Sequence, residues 1–95
     1  MISSPAELLD KMRRLRNYCD LSQEAVAREM GISQPAYCKL ERGQTRLTVP
    51  YLQVFADLVG IPLNDLLTCT MDDLIHQIND RNFSAPPPEN ERANA

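Results

Sequence analysis

Ninety-five residues, 43% of them hydrophobic, with a net charge of −3, can bury one modest core but not two independently stable ones. No apolar run approaches the ~20 residues of a membrane span, and Met1 to Pro5 holds no secretory apolar region, so a cytoplasmic protein is expected. Cys19, Cys38 and Cys69 fit neither a zinc-site spacing nor a disulfide framework. They read as reduced structural thiols, with a redox role for Cys38 as the alternative.

The first helix is predicted from Pro5 or Ala6 to about Tyr18, with Ser4 as its cap and Pro5 at its first position. Leu8, Met12 and Leu15 form its core stripe at helical spacing, and Leu21 covers the bottom of the core. Ser22 caps a second, short helix in which Val26, Ala27 and Met30 make the apolar face. Gly31 permits the positive φ of a sharp reversal, and Ile32 anchors that turn. Ser33 then caps a third helix. Pro35 falls in its first turn, where a missing N–H costs nothing. Ala27 is small enough for two helices to cross closely, and Tyr37 is expected over it, its ring in the core and its hydroxyl near the surface.

Gly43 to Thr48 reads as a loop. Thr48 caps a fourth helix with Pro50 in its first turn, Leu52, Phe55, Ala56 and Val59 facing inward, and Gly60 at its end. Ile61 to Leu67 is predicted as a short fifth helix whose Leu63, Leu66 and Leu67 close the bundle. Thr70 with Asp73 resembles a capping box opening one more helix, which ends near Arg81 and carries an apolar stripe of Met71, Leu74, Ile75 and Ile78. Ser84 to Ala95 has too little apolar content to fold and reads as a disordered tail. No stretch alternates apolar and polar residues, so the class is all-α.

Charge is unevenly placed. Residues 1–67 hold eight basic and eight acidic side chains, whereas 68–95 hold two and five, so the acidity belongs to the C-terminal appendage. Lys11, Arg13, Arg14 and Arg16 cluster on the first helix, and Lys39, Arg42 and Arg46 on the third helix and beyond. Local basic patches of this kind are what phosphate contact needs.

The run from Ser22 to Gly43, SQEAVAREMGISQPAYCKLERG, resembles the helix-turn-helix of the lambda-repressor-like (Cro/C1, or XRE) family of bacterial and phage transcription regulators. The likeness rests on Ser22-Gln23, Ala27, Gly31, Ile32, Ser33-Gln34, Leu40 and Glu41-Arg42-Gly43, and extends from about Leu8 to Leu67. It implies a five-helix DNA-binding domain over 1–67 that usually works as a dimer. It further implies that Gln34 reads an adenine bidentately through N6 and N7, and that Lys39 reaches a guanine edge or a phosphate. By the same resemblance Gln23 bonds a phosphate and braces Gln34, and Ser33, Arg42, Gln44, Thr45 and Arg46 hold the DNA backbone. Arg16 and Glu41 are implied as a partly buried structural salt bridge. Pro35 and Ala36 stand where some relatives carry polar readers, which leaves room for readout through DNA shape.

No Gly-rich phosphate loop, nucleophile elbow or HExxH signature occurs, and His76 has no partner at metal-ligand spacing. Neither enzyme activity nor a cofactor or metal is expected. The leading reading is a regulator that binds double-stranded DNA as a dimer on a near-palindromic operator. The alternative is an antitoxin-type protein that neutralises a partner protein through its C-terminal segment and regulates its own synthesis through the same motif. For the extension over 68–83, the preferred role of Met71, Leu74, Ile75 and Ile78 is a homodimer interface; the competing one is a groove beside the first and fifth helices of the same chain.

Overall fold

The computed structural model describes residues 3–84, and the regular secondary structure among them is all helix. Six helices follow in order: α1 (Pro5–Tyr18), α2 (Gln23–Met30), α3 (Gln34–Glu41), α4 (Val49–Val59), α5 (Leu63–Thr68) and α6 (Met71–Ser84). The disordered tail expected beyond Ser84 lies outside the described residues.

Each of the first four helices starts on a hydroxyl that accepts an otherwise orphaned backbone N–H: Ser4 from Glu7, Ser22 from Ala25, Ser33 from Ala36 and Thr48 from Tyr51. At Ser4 the Glu7 carboxylate also accepts the cap's own N–H at 2.8 Å, completing a capping box. These bonds from Ser4, backbone first, hold the Glu7 carboxyl below its ordinary value. Gly31 and Gly60 end α2 and α4 in the left-handed region, with φ of 74° at both. Helix α5 begins two residues later than the sequence suggests. Pro62 disfavours helical geometry at Ile61, which instead drops into the core from the turn. Helix α6 runs past Arg81 to Ser84, through a stretch with neither glycine nor proline.

The core is a single cluster. Leu8, Met12 and Leu15 of α1 meet Val26 and Ala27 of α2, Tyr37 and Leu40 of α3, the inner face of α4, and Leu66 of α5. The first four helices and α5 therefore close on one another as the apolar spacing predicts.

Helix α6 corrects one expectation. Leu74 is 0% exposed and Ile78 8%, both inside this same core, so neither is available to a second copy. Polar contacts fix the docking: the Tyr18 hydroxyl donates to Asn79 Oδ1, and Gln77 Nε2 donates to Asp65 Oδ2 at 3.3 Å. Of the four stripe residues, Met71 and Ile75 remain half-buried, lining an open groove with Arg14, Asn17, Tyr18 and Asp72.

Candidate nucleic-acid interface

Gln34 is the first residue of α3 and is exposed. The Ser33 cap and the ring of Pro35 fix the backbone that carries it, since proline's φ is already helical. The Gln34 carboxamide has no partner among the described residues. Lys39, one and a half turns on, is exposed as well, and so are Arg42, Gln44, Thr45 and Arg46 in the loop that leaves the helix. That loop is shaped by Gly43, whose φ of 80° requires a glycine. It lies over Pro5 and Leu9 of α1. Ser33 is exposed and its Oγ accepts from Ala36 N at 3.2 Å, so its hydroxyl oxygen is already engaged in capping.

The cations divide into two groups. Those of α1, expected as a phosphate-binding patch, are committed elsewhere: Lys11 Nζ donates to Ser3 Oγ and, at 3.1 Å, to the Leu66 carbonyl near the end of α5. Arg13 and Arg14 both pair with Asp10 at 3.0 Å, and Arg16 is turned inward. The physical reason is local: Asp10 stands three and four residues before the two arginines, which is the spacing of facing helical positions. Lys39, Arg42 and Arg46, together with Arg28, have no carboxylate partner among the described residues. Three of these four unpaired cations thus lie on α3 and the loop after it.

Beneath this surface lies a buried polar network. Arg16 spans the Glu41 carboxylate, Nε to Oε2 at 2.8 Å and Nη2 to Oε1 at 3.3 Å, while its Nη1 donates to the Leu21 carbonyl at 2.9 Å. The salt bridge implied at the sequence level is therefore present. Two further donors join it. Tyr37 Oη donates to Glu41 Oε2 at 2.8 Å, and Gln23 Nε2 donates to Glu41 Oε1 at 3.1 Å. The Tyr37 hydroxyl is thus buried rather than near the surface, because an acceptor waits for it one helical turn away. Gln23 differs from expectation too: its amide nitrogen is held by Glu41 and not by Gln34. The Tyr37–Glu41 spacing of four is readable from the sequence; the arrival of Gln23 from another helix is not.

Burial by itself would raise the Glu41 carboxyl, but hydrogen bonds from Arg16, Tyr37 and Gln23 outweigh it and hold the group below its ordinary 4.5. The same contact raises Arg16, and burial followed by the adjoining carboxylate pushes the Tyr37 hydroxyl upward. A carboxyl depressed on folding stabilises the native state above its unfolded value and loses that contribution as pH falls. The stability gap between the parent chain and Glu41→Gln should therefore be constant near neutrality and narrow as pH drops below 4.5. Urea titrations of both proteins from neutral pH downward check this.

Cys19, Cys38 and Cys69 are free, half-buried thiols, and burial raises that of Cys19. His76 is exposed on α6, 3.5 Å from Asp80. Among the described residues no group of histidine, cysteine and carboxylate side chains could hold a metal ion, and no helix is long and apolar enough to cross a membrane.

Residues 7–67, about two thirds of the chain, match the family model of a helix-turn-helix domain. No curated protein and no solved structure matches the chain.

Proposed function

The chain belongs to the helix-turn-helix domain family, and from that membership we propose a sequence-specific regulator of transcription, binding double-stranded DNA as a dimer on a near-palindromic operator. The observation that carries this reading is the opening of α3, where an unengaged Gln34 carboxamide stands exposed on a helix followed by the unpaired Lys39, Arg42 and Arg46. A carboxamide at that place can pair with both N6 and N7 of an adenine in the major groove. Lys39 supports it with a guanine or phosphate contact. The backbone N–H groups at the start of α2 and the side chains from Arg42 to Arg46 bind phosphates, which fixes register and supplies salt-dependent affinity.

A two-fold dimer places two such helices about one DNA turn apart, ~34 Å. Met71 and Ile75, on the groove beside Tyr18, are the part of the α6 stripe left for contact with the second copy.

Gln34→Ala should cost about 1–3 kcal/mol on the best site and relax the choice of base at one position. Quantitative binding to a panel of single-base operator variants measures both quantities; an equal loss on every sequence would assign Gln34 to the backbone instead. Arg46→Ala should behave in that second way, weakening all duplexes alike and reducing the dependence of log affinity on log salt by about one unit.

A further inference from the structure

Glu41 is 5% exposed and is the buried charged side chain of the described core. Its partners come from three helices: Arg16 of α1 spans both oxygens, Tyr37 of α3 donates to Oε2, and Gln23 of α2 donates to Oε1. A carboxylate only accepts, so the Gln23 amide must present its nitrogen to Glu41, leaving a second N–H and the carbonyl oxygen for another partner. The carboxylate itself cannot drift. The planar guanidinium of Arg16 fixes both oxygens at once, and Tyr37, 0% exposed, delivers its hydroxyl from a fixed point in the core.

We propose that Glu41 and Tyr37 are positioning residues for DNA: neither touches it, and together they orient the Gln23 carboxamide so that its remaining N–H meets a phosphate at the start of α2. The proposal rests on the DNA-binding reading above and adds to it a role for the buried network beyond joining helices. The physical gain is preorganisation. A free glutamine side chain must be ordered when DNA arrives, whereas one already held by Glu41 has lost that freedom on folding. Tyr37 contributes a second donor to Oε2 beside Arg16 Nε, and so helps hold the carboxylate in the orientation that offers Oε1 to Gln23.

The test uses the full-length chain, its Tyr37→Phe and Gln23→Ala variants and the double variant. The probes are the Gln23 side-chain amide resonances of the free protein, and binding to a mixed-sequence duplex of about two helical turns over a range of salt. Tyr37→Phe keeps the ring and removes the hydroxyl. It should move the Gln23 resonances and weaken duplex binding about three- to tenfold, as loss of an oriented hydrogen bond does. Because the lost donor is uncharged, the salt slope should stay unchanged. The double variant should bind no more weakly than Gln23→Ala alone. If Tyr37→Phe does not fold, Glu41→Gln measured in the same way takes its place. Unmoved Gln23 resonances with parental affinity, or independent losses that multiply in the double variant, would overturn the proposal and leave the network purely structural. A folded parent chain that binds no duplex would overturn the DNA reading itself, and the parent titration distinguishes that failure from the first two.

Discussion

Glu41→Ala is expected to cost about 3–5 kcal/mol of folding stability at neutral pH, the loss typical of breaking a buried ion pair from one side. Removal of the carboxylate strands Arg16, which keeps only the Leu21 carbonyl, and deprives the Tyr37 hydroxyl and the Gln23 amide of their acceptor. Three helices lose a common anchor in one substitution. A domain of this size has about 5–15 kcal/mol in total, so the variant should lie near the edge of folding, and its DNA binding should fail with its fold before the lost orientation of Gln23 is felt. Urea denaturation of the variant beside Glu41→Gln separates the terms: the glutamine retains an acceptor for part of the network and should recover some of the loss.

Leu74→Ala carries the second large effect, about 2–5 kcal/mol, because a fully buried leucine in the core would leave a cavity. The loss should be independent of protein concentration, since Leu74 packs within its own chain, whereas a residue at a dimer interface would shift the midpoint with concentration. Ile75→Ala, on the open groove, should cost less folding stability. Its effect, if the outer face of α6 joins two copies, belongs to the association equilibrium. Denaturation at two widely separated protein concentrations distinguishes these behaviours. It would also show that α6 is an integral part of the domain and not an appendage that can be removed without cost.

Much of the scaffold can be read locally. The caps at Ser4, Ser22, Ser33 and Thr48 and the left-handed ends at Gly31 and Gly60 depend on interactions within a few residues, and they fall where the sequence places them. The inner stripes of α1 and α4 follow from helical periodicity alone. The features that escape such a reading depend on tertiary direction. In α6 the pairs Leu74–Ile78 and Met71–Ile75 form two neighbouring rows at four-residue spacing, and nothing along the chain says which row turns inward. Lys11 looks like a free cation in sequence, yet the carbonyl it meets is 55 residues away.

The interface is legible to a different degree. Gln34, Lys39, Arg42 and Arg46 are exposed, as the proposed DNA contacts require, and the Arg16–Glu41 pair implied by the family resemblance is formed. The basic cluster of α1 misleads because charge counting ignores neighbours: Asp10 is shared by two of its members and Glu41 neutralises a third. Tyr37 misleads because a phenol with a buried acceptor one turn away need not seek the surface.

Selection of bound sites from random duplex DNA, with the purified full-length chain at near-physiological salt, tests the central claim most directly. The result predicted for a dimeric regulator reading DNA through α3 is an enriched inverted repeat whose half-sites lie about one helical turn apart, with a preference for adenine at one position that disappears in Gln34→Ala. Failure of the folded protein to enrich any sequence would contradict it.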